Sequence, residues 1–297
     1  MTVQTIRKLA EPKTLIAGAL PVLLGSAYAY SRFRRFSLPY LLLLLAAIAL
    51  IQSGTNMLND YYDYRRGGDG AEQAEEKALA DGSATPKQVL VLICLFAALA
   101  LGIGVILALR TSFLILLVAL AGGLVAFFYS SGPKPISYTP FGELASGCTM
   151  GFGITSTVVY IQSGRVSAQT LLMAVPTAIF IASILLTNNL CDLEKDAAAG
   201  RRTLPCRIGF EASKRLWVGA CVSLPAAAAL LTAAGVYPPP ALISLLFLLY
   251  LPKLARIARF RPSQFRKREF MGLIGKLGAQ FHLLLILGLL LQAFYLK

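Results

Sequence analysis

Apolar residues in this chain come in near-unbroken stretches, not in stripes one helical turn apart. Nine such stretches stand out, at roughly 14–31, 38–60, 88–109, 112–130, 141–161, 169–191, 216–236, 239–258 and 272–296. Runs that approach twenty residues predict transmembrane helices, whereas a soluble helix would be apolar on one face only. The expected fold is all-α: a multi-pass transmembrane bundle of about nine helices. Polar linkers are short, the longest covering 64–87, and there is no separate soluble segment, so 1–297 reads as one domain.

Composition agrees, with 57% hydrophobic and only 14% charged residues; a soluble domain would carry about a quarter charged. Arg7, Lys8 and "SAYA" at 26–29 resemble a secretory signal, but Lys13 and Pro21 fit that poorly. The first stretch is therefore expected to stay as a span. The net charge of +14 follows from topology. With the N-terminus inside and nine spans, 22 of the 28 Lys and Arg fall on inside segments or on the inside ends of the spans that border them. That bias orients the chain with its N-terminus in the cytoplasm, and it removes the reason to invoke nucleic acid. A prokaryotic cell membrane is the expected location. Cys94, Cys148, Cys191, Cys206 and Cys221 show neither zinc nor disulfide spacing.

On this topology all 14 Asp and Glu lie on the cytoplasmic side. Two groups matter. "NMLNDYYDYRRGGD" at 56–69 holds Asn56, Asn59, Asp60, Asp63 and Asp69; "NNLCDLEKD" at 188–196 holds Asn188, Asn189, Asp192 and Asp196. Asn56, Asp60 and Asp63 are spaced i, i+4, i+7, and Asn188, Asp192 and Asp196 are spaced i, i+4, i+8. Each set shares one helix face. Both sets close an even-numbered span, so both point to the same membrane surface.

That placement restricts the chemistry. A helix C-terminus is negative, and carboxylates add to it, so a cation is favoured there and a bare anion is not. All-oxygen ligands with no His or Cys on either face select Mg²⁺, Mn²⁺ or Ca²⁺. Mg²⁺ takes one or two carboxylates and completes its shell with water and phosphate. Two Asp groups facing one cavity would hold metal ions that hold a diphosphate. Carboxylates that merely pair with Arg65, Arg66, Arg201 and Arg202 are the plainer alternative, and the matched helical phase of two separate stretches weighs against it. Arg65, Arg66, Lys77, Arg201, Arg202 and Lys134, the one basic residue of its loop, could neutralise diphosphate oxygens.

These residues resemble the UbiA superfamily of intramembrane aromatic prenyltransferases. "NDYYD" with Asn56 is similar to its first Asp-rich motif and "DLEKD" to its second. Within the family, "PKTLIAGALPVLLGSAYA", "GTNMLNDYYDYRRGGD", "GPKPISYTPFGEL" and "NNLCDLEKDAAAGRRTLPCRIG" resemble the 1,4-dihydroxy-2-naphthoate prenyltransferases of menaquinone synthesis. The resemblance implies nine helices around a central cavity that opens to lipid. It implies two Mg²⁺ ions, replaceable by Mn²⁺, on Asn56, Asp60, Asp63, Asn188, Asp192 and Asp196. Asp60, Asp63, Asp192 and Asp196 become the catalytic carboxylates. Lys134, Arg65, Lys77, Arg201 and Tyr129 become diphosphate contacts, with Asn59, Asp69, Lys13 and Arg202 at the margin. The donor would be a polyprenyl diphosphate whose allylic cation alkylates an aromatic acid, here with loss of CO₂. Two departures stand out: Glu11 precedes Pro12 where the family has Arg, and the loop from Gly70 to Pro86 lacks the usual Ser-Arg, leaving Lys77 to replace it.

Rival readings are another acceptor (4-hydroxybenzoate, homogentisate or a tetrapyrrole) and a cation-coupled transporter with Asp60 and Asp192 as ion ligands. A transporter would place its ligands at mid-membrane beside broken helices; these Asp groups lie at span ends. Gly147 and Gly151 in "SGCTMGFG" predict close helix packing. His282 is expected to bond between helices rather than join the site. Prenyl length and oligomeric state leave no signature in the sequence.

Overall fold

The computed structural model describes residues 1–67, 77–252, 255, 262–263 and 266–295. Among them every regular element is a helix. In chain order these are α1 (Val3–Ala10), α2 (Leu15–Phe33), α3 (Leu38–Arg65), α4 (Pro86–Arg110) and α5 (Leu114–Ser130), then α6 (Gly142–Ser163) and α7 (Ala168–Cys191). The short α8 (Leu193–Ala198) and α9 (Leu204–Ile208) follow, then α10 (Phe210–Ala233), α11 (Pro239–Tyr250) and α12 (Lys267–Tyr295). Each of the nine apolar stretches corresponds to one helix. Seven of these are long and apolar enough to cross a membrane; α5 and α11 are shorter. The part of the eighth stretch beyond Pro252 lies largely outside the described residues.

Local chemistry sets the helix ends. Thr85 caps α4 in a reciprocal box with Gln88, and Pro86 takes the first turn, where no N–H is needed. Gly164, at φ 72°, ends α6 in the left-handed conformation that glycine adopts freely. Pro21 and Pro225 sit inside α2 and α10, as membrane helices tolerate. Helix faces that meet no protein are apolar: α4 exposes Val91, Leu95, Leu99 and Leu109, a surface suited to lipid.

Contacts divide the chain into two compact units, Met1–Ala19 with Leu42–Ile136, and Leu20–Leu41 with Ser137–Lys297. In the first, Leu9, Met57, Ala78, Leu79, Ala84 and Val89 form a small buried core beneath the loop that leads into α4. Glu11, at φ 45°, turns the chain between α1 and the Pro12–Thr14 turn.

The second unit packs through small residues. A Cβ on Gly151 would lie 2.2 Å from the Cα of Ala178, and one on Gly147 would lie 2.9 Å from the Ala178 carbonyl oxygen. This is the close helix approach that the glycine spacing predicts. The contact falls where α6 widens into a π-helical stretch, Gly147–Ile154. Gly278 faces the Phe180 ring and Gly288 faces Ala241 in the same way. His282 is buried, with Nδ1 2.7 Å from the Gly278 oxygen and Nε2 3.2 Å from Thr177 Oγ1. Its role is to join α12 to α7.

Candidate active site

The first Asp group lies on the last turns of α3. Because α3 runs on to Arg65, past the end of its apolar stretch, Asn56, Asp60 and Asp63 all sit on formed helix. Asp60 is 5% exposed. The Lys77 ammonium lies 3.2 Å from Asp60 Oδ1 and 3.7 Å from Asp63 Oδ2. Lys77 is held there by its neighbours: Ala78 and Leu79 enter the small core, and Asp81 binds Lys8 at 2.6 Å. Hydrogen bonds from Lys8 and then Ser83 hold the Asp81 carboxyl at about 2. Asn56 donates its amide to Thr14 Oγ1 at 2.8 Å and to the Ala10 carbonyl at 3.3 Å, so the N-terminal segment fixes its orientation.

The remaining candidates of this unit are more dispersed. Asn59 is exposed and accepts from Ser130 at 3.3 Å. Arg66, rather than Arg65, ties α3 to the loop after α5, donating to the Ser130 and Gly132 carbonyls at 3.0 and 3.2 Å. Lys13, Arg65 and Lys134 are exposed, and Tyr129 is half-buried on α5. Asp69 lies outside the described residues.

The second group is built around a bend. α7 stops at Cys191, and Asp192 has φ −95° and ψ 8° before α8 begins. The single straight helix implied by the spacing is therefore broken at Asp192. The hydrogen-bond ladder survives the bend: Asp192 N–H reaches the Asn188 carbonyl at 3.1 Å, and Asp196 N–H reaches that of Asp192 at 2.8 Å. Asn188, Asp192 and Asp196 thus keep their spacing. Lys267, from the start of α12, bonds Asp192 Oδ2. Asn188 approaches the same oxygen at 3.5 Å.

Asp196 is 4% exposed, with Arg201 at 3.6 Å. Burial pushes its carboxyl up to about 6; Arg201 opposes the rise and neighbouring Asp192 adds to it. Arg201 also lies over the Tyr138 ring at 4.3 Å, while the Arg202 backbone N–H donates to the Tyr138 carbonyl at 2.9 Å. Beside them, Arg201, Arg202, Arg207 and Cys206 line an open hollow of about 390 Å³.

Sequence spacing did not single out three of these partners. Lys267 stands 75 residues past Asp192. Glu143, buried at the start of α6, accepts from Asn189 at 3.0 Å. Tyr138 supports both arginines of the second group.

The residues suit a hard cation. Among the described residues no three His, Cys, Asp or Glu side chains converge as a closed metal cage would. Instead each unit offers a pair of carboxylates on helical spacing, with a lysine ammonium already on one pair and on Asp192 of the other. Asp192 Oδ1 is buried with no hydrogen-bond partner. Two carboxylates with flanking carboxamides and no soft donor suit Mg²⁺ or Mn²⁺ when phosphate completes the shell.

A model of the UbiA prenyltransferase family matches residues 18–293. The chain is 36% identical to a 1,4-dihydroxy-2-naphthoate octaprenyltransferase of Bacillus subtilis over 72% of this chain and 68% of that protein. It is 34% identical to a protein of the same description from Mycobacterium tuberculosis, over 71% of this chain and 72% of the other. The fold is similar to that of a UbiA homolog from Archaeoglobus fulgidus bound to GPP and Mg²⁺, with a TM-score of 0.72 at 16% identity, covering 96% of this chain and 99% of that one.

Proposed function

The chain belongs to the UbiA prenyltransferase family and is an aromatic prenyltransferase of the membrane, and on that premise we propose that it transfers a polyprenyl group from polyprenyl diphosphate to 1,4-dihydroxy-2-naphthoate, with loss of CO₂, in menaquinone synthesis. The single observation that carries the chemistry is the pair of Asp groups, each on helical spacing and each already drawing a lysine ammonium. The bacterial relatives described as dihydroxynaphthoate octaprenyltransferases support the acceptor.

The metal is assigned as Mg²⁺, two ions with Mn²⁺ as substitute, held by Asp60 and Asp63 with Asn56, and by Asp192 and Asp196 with Asn188. A divalent ion there supplies neutralisation of the leaving diphosphate. The chain's own residues do the rest. Asn56, fixed by Thr14 and the Ala10 carbonyl, orients the first group. Lys77 and Arg201 bring positive charge to within 4 Å of the carboxylates and are assigned to diphosphate oxygens, with Lys134, Arg65 and Tyr129 as further contacts. The 22 basic residues on inside segments and inside span ends support an inside N-terminus and Asp groups on the cytoplasmic face of a prokaryotic cell membrane.

The test follows the acceptor's carboxyl carbon. With dihydroxynaphthoate the new C–C bond forms where the carboxylate sat, so one labelled CO₂ is expected per product. 4-Hydroxybenzoate would keep its carboxylate. Label retained in the prenylated product overturns the acceptor assignment and leaves the diphosphate site standing.

A further inference from the structure

Lys267 opens α12, and the packing of α12 sets its place. Three residues on, Phe270 is 1% exposed and meets the Trp217 ring edge-on at 6.2 Å. Trp217 in turn donates from Nε1 to Thr187 Oγ1 at 2.8 Å, one turn before the bend in α7. The helix that bears Lys267 is therefore fixed against the helix that bears Asp192. The neighbouring Arg266 is engaged by Glu269 at 2.9 and 3.0 Å. The ion pair with Asp192 is thus a feature of the packed fold rather than of a wandering surface chain.

The geometry at Asp192 is asymmetric. Oδ2 takes both Lys267 and Asn188, whereas Oδ1 is buried without a partner. A carboxylate held by one oxygen presents the other in a fixed direction. A dication arriving at Oδ1 would meet the Lys267 charge a few ångströms away, and like charges at that distance repel. Lys267 is flexible, with three donors on a four-carbon stem, and 30% of its side chain is exposed. It can release the carboxylate and turn to an anion that arrives with the metal. Lys77 stands in the same relation to Asp60 and Asp63 in the first unit.

We propose that Lys267 is a further diphosphate-binding residue: it pairs with Asp192 and passes its ammonium to a diphosphate oxygen when a divalent ion takes that carboxylate. The inference rests on the metal–diphosphate reading above. It adds a residue that lies on another helix and outside both Asp motifs. No bond is made or broken; a salt bridge is exchanged for a charge-assisted hydrogen bond.

The exchange predicts opposite signs for two affinities, which a purely structural ion pair does not. The experiment uses the purified full chain in lipid nanodiscs, without prenyl donor or acceptor. Mn²⁺ binding is read by electron paramagnetic resonance, alone and with inorganic pyrophosphate. Lys267→Met keeps the apolar stem and removes the charge. It should tighten Mn²⁺ alone by roughly threefold or more, because the competing cation is gone. It should weaken Mn²⁺-dependent pyrophosphate binding by roughly tenfold, the effect of one charge-assisted hydrogen bond. Lys267→Arg should restore most of the pyrophosphate affinity. Unchanged pyrophosphate binding in Lys267→Met overturns the proposal, as does parallel loss of both affinities with a lowered Tm, the mark of a structural role. A wild-type chain that binds no Mn²⁺–pyrophosphate overturns instead the reading of the site on which the proposal rests.

Discussion

Asn189 donates its amide to Glu143 Oε1 at 3.0 Å, joining the end of α7 to the first turn of α6. Both residues are buried, at 8% and 5% exposure. Asn189 follows Asn188 directly, so this bond fixes the rotation of the helix end that presents Asn188 and Asp192. Glu143→Leu should leave the Asn189 amide buried and unpaired, at a cost of about 1–3 kcal/mol. Glu143→Gln retains an acceptor oxygen and should lose less. Thermal unfolding in detergent, followed by circular dichroism, orders the three proteins; a leucine variant as stable as wild type would refute the role.

The carboxylates nearest the lysines should dominate turnover. Asp60→Asn and Asp192→Asn each keep shape and remove a charged ligand. Because loss of mere supporting residues around a metal costs 10–100-fold, loss of a ligand should cost at least ~100-fold. EDTA should abolish activity, and Mg²⁺ or Mn²⁺ should restore it. Full turnover by either variant in metal-depleted buffer would remove the basis for a metal-held diphosphate.

Asp196 gives the pH dependence its sign. Its carboxyl is pushed up to about 6, chiefly by burial, so below that pH the neutral acid is the major form. A metal ligand must be ionised, and protons then compete with Mg²⁺. Half-saturating Mg²⁺ should stay level above pH ~7 and rise by about tenfold per unit below pH ~6. Saturating Mg²⁺ should move the acid limb of the rate profile to lower pH. Titrating activity with Mg²⁺ at five or six pH values checks this; an acid limb that ignores Mg²⁺ concentration contradicts it.

The spans were legible because a helix facing lipid must be apolar on most of its circumference, as α4 is with Val91, Leu95, Leu99 and Leu109 exposed. The Asp groups were legible because their members are a helical turn apart, and local spacing survives folding even across the bend at Asp192. Lys267 and Glu143 were not, because each meets its partner through tertiary packing, 75 and 46 residues away. Lys77 falls between: its nearness to the first motif made it a candidate, but the core of Leu9, Met57 and Leu79 that places it has no local signature. The π-helical stretch in α6 was hidden too. Its glycines announce close packing, and only the Ala178 backbone shows where the helix must widen.

Two glycines in membrane helices should respond differently to the same substitution. At Gly151 a new Cβ would fall 2.2 Å from Ala178 Cα and 2.6 Å from its nitrogen. Both are main-chain atoms of a packed helix, so neither can swing aside as a side-chain tip could. Relief would require α6 and α7 to separate, and overpacking of this kind costs about 1–3 kcal/mol. At Gly102, in the lipid-facing α4, a Cβ meets nothing within 4 Å. There alanine removes only the extra backbone freedom of glycine in the unfolded chain, worth about 0.4–1 kcal/mol of stability. Gly151→Ala should therefore lower Tm and Gly102→Ala should raise it or leave it level. Because Ala178 sits on α7, which leads into Asn188 and Asp192, Gly151→Ala should also weaken Mn²⁺ binding, while Gly102→Ala should not. Paired Tm and Mn²⁺ titrations on the two variants decide the matter: a Gly151→Ala chain with wild-type stability would mean that the two helices are not in backbone contact at this point.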